Sequence, residues 1–419
     1  MMERYSEYKD SGVKWLGKIP SHWEVMPLKS FIKFEKGKTP KEFSDENNGL
    51  PYLTMDYLRS RDNKFVKYPI SSVGLFKIEE FEALVLWDGA NAGEFILSKK
   101  GYLGSTMAKI SGYRKYYNNL YFYYFLKMLE PTSKNFANGT TIPHFDASIL
   151  INYHYPIPPI DEQKAIGSYL DTATSEIDKA IAMQQKMIDL LNERKQIIIQ
   201  NAVTKGLDEN VEMKESSVEW IGRIPKHWEV RRGKFLFRVV NEYSTTGQEE
   251  LLTVSDRTGI TPRCMKNVNM FMSESLIGYK KCQKGDICSN IMWMWHGAVG
   301  VTEYNGVISP SYGVYRQIAV NYDNKYLDYM LRLPRLVEVY GICSTGLTES
   351  RLRLYPDDFM NIQFFIPPVE EQKSIVLQIQ KQITDIEKSI RNAENLITLL
   401  QERKQIIINE VVTGKVRVS

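Results

Sequence analysis

Cysteine is scarce in this chain, and its distribution argues against a disulfide framework. Only four cysteines occur among 419 residues, at Cys264, Cys282, Cys288 and Cys343. None lies in the first half of the chain, and no two have the C-x-x-C spacing that zinc sites commonly use. Because the first half repeats the second, a disulfide scaffold would need cysteines in both. We therefore expect reduced thiols packed in a core, and no metal.

Long apolar runs are also missing. No stretch of eighteen consecutive apolar residues occurs, and the opening segment "MMERYSEYKDSG" is charged, so the sequence predicts neither a membrane span nor a signal peptide. We expect a cytoplasmic protein. With 419 residues, of which 43% are hydrophobic and 25% charged, the chain is long enough for two or more domains, each with its own core.

A strong charge of either sign is absent, since the formal net charge is only +4. The surplus is spread evenly, because residues 31–156 and residues 231–365 each contain 16 Lys and Arg against 13 Asp and Glu. A mild positive surplus on two blocks permits contact with phosphate groups. It does not establish such contact, because solvated surface charges give the same count.

The motifs of familiar enzymes are incomplete or absent. "GKT" at residues 37–39 resembles the end of a phosphate-binding P-loop, but Ile32 stands where the glycine that begins such a loop should be. The segment is therefore not expected to bind ATP. Neither an Asn-Pro-Pro-aromatic motif nor a glycine-rich cofactor loop for methyl transfer is present.

Two repeated features could suggest catalysis, and both have a structural explanation. "DEQK" at 161–164 and "EEQK" at 370–373 contain the Glu-x-Lys pattern of metal-dependent nucleases. They follow Pro-Pro at predicted helix starts, whereas a nuclease needs carboxylates that converge from strands. His22 and His227 lie in a tryptophan-rich segment, where packing explains a histidine better than catalysis does. We expect no enzymatic activity in this chain.

The most informative feature of the sequence is an internal duplication. "SGVKWLGKIPSHWEV" and "SSVEWIGRIPKHWEV", which begin at residues 11 and 216, share ten of fifteen residues. "NERKQIIIQNAVTKG" and "QERKQIIINEVVTGK", which begin at 192 and 401, share nine of fifteen. "IPPIDEQKAI" is likewise repeated as "IPPVEEQKSI". The two ends of the unit have stayed alike while its middle has diverged, so two parts of one chain have the same structural task.

Each repeat is predicted to close with a long helix. An alternating four-three spacing from Ile166 to Asn201 has eight apolar residues at eleven positions, and its copy from Ile375 to Glu410 has seven. This pattern favours two coiled-coil helices of about forty residues, each roughly 60 Å long. The linker at 206–215 is too short to run back along such a helix. Antiparallel pairing would then place the two variable blocks at opposite ends, related by a pseudo-twofold axis, with the chain termini together.

The sequence therefore predicts an α+β protein in which two mixed α/β domains alternate with two long antiparallel coiled-coil helices. The expected boundaries are 1–156 for the first mixed α/β domain, 157–205 for a central helical region, 206–365 for the second mixed α/β domain, and 366–419 for a C-terminal helical region. Because the chain is a tandem repeat, the two mixed α/β domains are equivalent to each other, and so are the two helical regions.

Within the variable blocks, short runs have the composition of strands or of one apolar helix. "ALVLW" at 83–87 and "GVISPSYGVY" at 306–315 are rich in strand formers and bounded by turn residues. "NNLYFYYFLKML" at 118–129 and "NKYLDYMLRL" at 324–333 predict an apolar helix at matching places of the two repeats.

The double "IPP-(I/V)-(D/E)-EQK" entry, the helices ending in "ERKQIII" and the repeated "W-(L/I)-G-x-IP-x-HWEV" opening resemble the specificity subunit of type I restriction-modification enzymes. The resemblance covers essentially the whole chain. It implies that each recognition domain reads one half of a split, asymmetric sequence of double-stranded DNA. It also implies two methyltransferase subunits, docked on the helices, that methylate an adenine in each half, together with restriction subunits.

The resemblance implies no cofactor in this chain. S-adenosylmethionine, ATP and Mg²⁺ would belong to the partner subunits. A helical spacer of roughly 60 Å suits half-sites more than one turn of B-DNA apart, about 34 Å, and a flipped adenine would enter the partner's pocket.

Candidate DNA contacts follow from residue type and loop context, because Arg and Asn can pair with guanine and adenine edges while Lys mainly holds phosphates. In the first block they are Lys36, Lys38, Lys41, Asn91, Lys99, Lys100, Asn138, Thr140 and His144. In the second they are Trp295, His296, Ser311, Tyr312, Thr348, Arg351 and Arg353.

A second apolar line on the helices is predicted to bind partner proteins, unless it simply packs on the blocks. Its members are Ile181, Ile188, Leu190, Ile390, Ile397 and Leu399. The repeated opening segment is expected to be an attachment, in which Trp15, Trp23, Trp220 and Trp228 fasten each block to a helix. Two alternatives remain: a coiled-coil adaptor whose blocks bind proteins, and a free-standing DNA-binding regulator.

Overall fold

The computed structural model describes residues 3–46, 49–60, 66–135, 143–266, 275–348 and 351–418. The chain divides into two compact units. Unit 1 comprises residues 1–186 and 393–419, and unit 2 comprises residues 187–392. Each unit therefore contains one variable block and parts of both long helices.

Unit 1 consists mainly of short strands, short helices and segments of the two long helices. Its elements are β1 Tyr8–Asp10, β2 Lys18–Pro20, β3 Glu24–Pro27, β4 Ile32–Lys36, β5 Phe43–Ser44, β6 Tyr52–Leu53, α1 Met55–Arg59, β7 Tyr68–Pro69, β8 Lys77–Ile78, β9 Ala83–Leu86, β10 Phe95–Leu97, β11 Gly101–Leu103, β12 Met107–Gly112, α2 Asn119–Asn135, α3 Ala147–Ile151, β13 His154–Ile157 and the first part of α4 Ile160–Lys205.

Unit 2 follows the same plan, and the last part of the second long helix returns to unit 1. The remaining elements are β14 Met213–Glu215, β15 Arg223–Pro225, β16 Glu229–Arg232, β17 Phe237–Val239, β18 Leu252–Ser255, β19 Gly259–Pro262, β20 Lys280–Cys282, β21 Ile287–Ser289, β22 Val299–Val301, β23 Gly306–Ile308, β24 Gly313–Gln317, α5 Asn324–Leu331, α6 Pro334–Ile342, α7 Pro356–Asn361, β25 Gln363–Ile366 and α8 Val369–Val412.

A four-stranded antiparallel sheet lies at the centre of each unit, and the two sheets have the same strand order. The order is β10, β9, β12, β4 in unit 1 and β22, β21, β24, β17 in unit 2. Ile110 pairs with Phe34 in the first sheet as Tyr315 pairs with Val239 in the second. Residues 34 and 239 are 205 positions apart, as are residues 110 and 315, and the repeated opening segments begin at residues 11 and 216 with the same separation. The duplication therefore persists in the middle of the unit, where the two sequences have diverged.

The predicted strands and helices of the blocks are confirmed. The run at 83–87 forms β9, and the run at 306–315 forms β23 and β24 with a turn between them. The two apolar helices are α2 and α5, which begin at residues 119 and 324. Their buried aromatic side chains, Tyr121 and Tyr326 among them, pack in the cores of their own units.

The repeated tryptophan-histidine segment anchors the block of unit 1 to the start of α4. Glu162, in the first turn of α4, accepts a hydrogen bond from the Trp23 indole at 3.2 Å and one from the His22 ring at 2.8 Å. Trp23 is fully buried and packs with Val411 and Val412 near the end of α8. The predicted attachment beside the end of the second helix is therefore confirmed.

The copy makes the same contacts in unit 2. Glu371, in the first turn of α8, accepts hydrogen bonds from the Trp228 indole at 3.1 Å and the His227 ring at 2.8 Å. Trp228 is fully buried, with Ala202 and Val203 of α4 in the same core. The Glu-x-Lys pattern thus has a structural task, because its glutamate holds the block. Trp15 and Trp220 are weaker anchors; Trp15 is 40% exposed.

A buried glutamine beside each of these glutamates fixes the loop before the apolar helix. The Gln163 amide donates to the carbonyls of Tyr116 and Pro158, at 3.1 and 2.9 Å, and accepts from the Asn118 backbone at 2.7 Å. Gln372 repeats these contacts in unit 2 at 2.8–2.9 Å, with Asn321, Pro367 and Asp323. Both side chains are buried, so the EQ pair of each repeat binds two parts of its block.

Two equivalent tyrosines connect the apolar helices to the far end of the opposite long helix. The Tyr121 hydroxyl donates to the Val412 carbonyl at 3.1 Å, and the Tyr326 hydroxyl donates to the Val203 carbonyl at 2.7 Å. Complete burial raises the pKa of both phenols well above its usual range. Each hydroxyl therefore remains protonated and keeps its hydrogen bond.

Within each unit the segments of α4 and α8 run antiparallel. In unit 1, Lys404 of α8 forms an ion pair with Asp178 of α4 at 2.7 Å, while Ile166 lies in the same core as Val411. In unit 2, Lys195 of α4 pairs with Glu387 of α8 at 2.6 Å, while Val203 of α4 lies in the same core as Ile375 of α8. The antiparallel prediction is therefore confirmed inside each unit.

The predicted apolar stripe is wrong at Met187. Met187, which the four-three spacing placed inside, is 52% exposed, whereas Ile188 is buried at 8%. An α-helix has 3.6 residues per turn, so a strict 3.5-residue stripe drifts by about 20° per heptad. Three heptads after Ile166, the neighbouring position has turned inward.

The chain ends are joined in unit 1, as predicted. Arg417 forms an isolated β-bridge with Glu3, and its amide donates to the Glu3 carbonyl at 2.8 Å. In unit 2 the corresponding place holds a continuous linker. It leaves α4 at Gly206, whose φ of +76° favours glycine and whose amide donates to the Ala202 carbonyl at 3.1 Å.

Truncation of the buried tryptophans should loosen their own units. We expect Trp23→Ala to destabilise unit 1 and Trp228→Ala to destabilise unit 2, each by about 3–5 kcal/mol, because each removes a large buried ring. Hydrogen-exchange mass spectrometry would locate the loss of protection. Trp15→Ala is the matched control, since that ring is 40% exposed; unchanged protection in both buried-site variants would refute the anchoring role.

Candidate nucleic-acid interface

In unit 1, several predicted contact residues lie at one edge of the central sheet. Lys36 ends β4 and pairs with Ala108 of β12, while Leu86 ends β9 and pairs with Met107 of β12. Because β12 is antiparallel to both neighbours, the ends of β4 and β9 lie beside its start. The loops that follow β4 and β9 therefore emerge at the same edge.

The Asp88 carboxylate at this edge contacts two residues that were predicted to bind DNA. The Lys36 ammonium lies 2.8 Å from one oxygen of Asp88, and the His144 ring lies 2.7 Å from the other. Burial alone would raise the pKa of Asp88, but the hydrogen bonds and charges from Lys36 and His144 outweigh it and lower that pKa. The carboxylate thus stays ionised and holds two cationic or polar groups at fixed positions.

The other residues of unit 1 that were predicted to contact DNA lie in different surroundings. Lys38, Lys41 and Asn91 are exposed on the loops of this edge. Asn138 and Thr140 lie outside the described residues. The neighbouring lysines 99 and 100 differ from each other, and only one of them is exposed.

Lys99 is a structural residue. Its ammonium donates to the carbonyls of Tyr57 and Ser60, at 3.0 and 2.9 Å, and lies 4.3 Å from the centre of the Tyr57 ring. The N–H groups of the Lys99 ammonium bind carbonyls at the end of α1. This packing disagrees with the prediction that Lys99 contacts DNA. Lys100 is exposed and forms a 3.4 Å ion pair with Glu79.

The same edge is present in unit 2. The Leu354 amide donates to the Ile291 carbonyl at 3.0 Å, just as the Phe145 amide donates to the Trp87 carbonyl at 2.8 Å. These bonds make the loop after β21 equivalent to the loop after β9. They also place Arg353, one residue before Leu354, at the position of His144.

An aromatic turn replaces the Asp88 cluster in unit 2. The rings of Trp293 and Trp295 stack with centroids 5.9 Å apart, and His296 lies beside them. The His296 ring is 3.3 Å from a carboxylate oxygen of Asp256. The sequence prediction included Trp295 and His296 but missed Trp293, which is the more exposed tryptophan at 54%. The sequence signal that could have identified Trp293 is its position two residues before Trp295 in the same turn.

The remaining predicted residues of unit 2 surround this turn. The Tyr312 hydroxyl accepts from the Asn290 amide at 2.9 Å, which connects the turn to the start of β24. Ser311, Thr348 and Arg351 are exposed. The Arg351 amide donates to the Thr348 carbonyl at 2.8 Å.

Among the described residues, no cluster of three or more His, Cys, Asp or Glu side chains is arranged to hold a metal ion. The cysteines are free thiols; Cys282 and Cys288 pack in a core of unit 2, as expected, whereas Cys264 is exposed. No helix in the described part of the chain has the length and apolar character required to cross a membrane.

Comparison with known proteins identifies the family. Residues 20–186 match the family described as type I restriction modification DNA specificity domain. The type I restriction enzyme MjaVIII specificity subunit of Methanocaldococcus jannaschii is 30% identical over 98% of this chain and 97% of its own length. The chain belongs to the type I restriction enzyme specificity subunits.

Other members of this family agree over most of the chain. The EcoBI specificity subunit of Escherichia coli is 24% identical over 92% of this chain and 85% of its own. A solved structure described as "Structural basis underlying complex assembly and conformational transition of the type I R-M system" covers 94% of this chain and 98% of that one, with a TM-score of 0.67 and 13% identity. This match shows that the fold of the chain is shared with that structure.

The two adjacent lysines of this specificity subunit permit a direct test of which one is structural. We expect Lys99→Met to lower the stability of unit 1 by about 1–3 kcal/mol, because two carbonyls lose a charged donor. Lys100→Met is the matched control. It should change the stability of unit 1 by less than about 1 kcal/mol, because a surface ion pair contributes little. Thermal unfolding measures both; equal destabilisation by the two variants would contradict the assignment.

Proposed function

We propose that this protein is the DNA-recognition subunit of a type I restriction-modification complex and that each unit reads one half of a split, asymmetric sequence. Two methyltransferase subunits would methylate an adenine at N6 in each half, and restriction subunits would cleave. This chain would perform no catalysis, and S-adenosylmethionine, ATP and Mg²⁺ would bind in the partner subunits. The complex would act in the cytoplasm.

One observation carries the proposal: the two units share their scaffold but differ at one sheet edge. The glutamate anchors, the buried glutamines and the strand order are repeated. The edge itself carries Lys36, Asp88 and His144 in unit 1 but Trp293 and Arg353 in unit 2. A protein that reads two different words needs this arrangement, because base readout depends on the side chains that a common scaffold presents.

Duplicated apolar positions on the long helices support the docking of two identical partners. Leu190 and Leu399, both in the predicted partner line, are 55% and 60% exposed. Ile188 of that line is buried and does not belong to such a surface, while Ile181, Ile390 and Ile397 are only half-buried. Three pairs of exposed apolar residues occupy equivalent positions of the two long helices, 209 residues apart in the sequence. They are Met187 and Leu396, Leu190 and Leu399, and Ile197 and Ile406.

These six positions define one docking face on each helix. Residues 187, 190 and 197 fall within about 80° of arc on α4 at 100° per residue, and residues 396, 399 and 406 do so on α8. Each unit therefore presents one copy of an apolar helix face, which is suited to an amphipathic helix of a partner.

Co-expression with the neighbouring methyltransferase gene tests the proposed function. We expect a complex that methylates adenine in both halves of one split sequence, read out by methylation-sensitive sequencing. Exchange of residues 31–156 for the block of another specificity subunit should alter only one half of the methylated word. A complex that never methylates would contradict the proposal, and tight binding of one unmethylated sequence by the chain alone would favour a regulator.

The docking face has its own test. We expect Leu190→Asp or Leu399→Asp each to remove one methyltransferase subunit from the complex and the double variant to remove both, because a carboxylate cannot enter an apolar interface without partners. Native mass spectrometry would count the subunits. Ser175→Asp, at an exposed polar position of α4, is the control; unaltered stoichiometry in the double variant would exclude this face.

A further inference from the structure

A turn of unit 2 exposes an aromatic pair that has no counterpart at the equivalent place in unit 1. Trp293 is 54% exposed, and its ring stacks on Trp295 at an interplanar angle of 17°. In unit 1 the equivalent loop, "WDGANAG" at 87–93, contains only Trp87. That ring is half-buried and packs against aromatic neighbours of its own unit.

The aromatic turn is held rigidly. The Trp295 indole donates to the Met292 carbonyl at 3.0 Å, and Met294 between the two tryptophans is fully buried. The Trp293 carbonyl accepts the amides of His296 and Ala298, at 3.0 and 3.1 Å. Trp293 therefore has a hydrogen-bonded backbone and two neighbouring rings, those of Trp295 and His296, while more than half of its side chain contacts solvent. A large apolar ring held in this way is preorganised for a ligand.

The surroundings of Trp293 favour a planar, anionic polymer as that ligand. The exposed ring of His296 lies 6.0 Å from Trp293, between centroids. Arg353 and the exposed Arg351 belong to the loop whose neighbour, Leu354, bonds to Ile291 at the start of the turn. An aromatic face on a turn that adjoins an arginine-bearing loop is a combination that can bind a nucleobase and the phosphates beside it.

We propose that Trp293 enters the DNA duplex at one base step of the half-site read by unit 2 and stacks on a base there. This inference rests on the proposed function. It adds a second way of recognising DNA for the half-site that unit 2 reads. Unit 1 reads through the fixed polar groups around Asp88, whereas unit 2 also reads through the ease with which one base step unstacks. Side chains that wedge into base steps depend on such deformability.

The experiment uses the assembled complex with its methyltransferase subunits and duplexes that carry the methylated sequence found in the host genome. We expect Trp293→Ala to weaken binding about tenfold to a hundredfold, since loss of one base-stacking contact has that size. Trp293→Phe should lose less. Phe235→Ala is the matched control, because this ring is 62% exposed and lies just before β17, away from the reading edge.

Mismatches identify the stacking itself. A mismatch at the contacted step lowers the cost of unstacking, so it should tighten binding by the wild-type complex and not by Trp293→Ala. Scrambling the half read by unit 2 should abolish the difference between them. Equal responses of both proteins to every mismatch, a difference that survives scrambling, or a loss of methyltransferase subunits in Trp293→Ala would overturn the inference. Absence of any sequence-specific binding by the wild-type complex would instead refute the proposed function.

Discussion

The hydrogen bonds between one helix-start glutamate and a buried tryptophan with its neighbouring histidine are the constraint on which each unit depends. Glu162 and Glu371 lie in the first turn of a long helix, where a carboxylate is favoured by the helix dipole. Each fixes the entry of its block at that point. The adjacent glutamine fixes the loop before the apolar helix, whose tyrosine reaches the end of the opposite long helix. A short repeated sequence thus connects block, helix start and helix end.

A scaffold fixed in this way leaves the sheet edge free to vary. Among the described residues, no side chain named at the reading edge takes part in the glutamate or glutamine anchors. Asp88 with its two partners in unit 1 and the tryptophan turn in unit 2 therefore replace one another without disturbing the core. This separation of support and reading is the physical basis of a subunit whose two halves recognise different sequences.

Much of the fold was predictable because the repeat reveals it twice. The two helices, the antiparallel pairing within each unit and the attachment role of Trp23 and Trp228 all follow from duplicated motifs and helical periodicity. The candidate site was less predictable. Lys99 resembled its neighbour Lys100 in the sequence, yet its ammonium is occupied by two carbonyls, and the prediction named Trp295 but missed Trp293.

The sequence by itself determined the family, the two-part repeat and the long helices, because periodicity and repeated motifs are local properties of the chain. Only the tertiary structure decided that Ile188 points inward in place of Met187, since helix drift accumulates over several turns. It also decided that Asp88 joins Lys36 to His144. These residues are far apart in the chain, and strand register and a loop bridge bring them together.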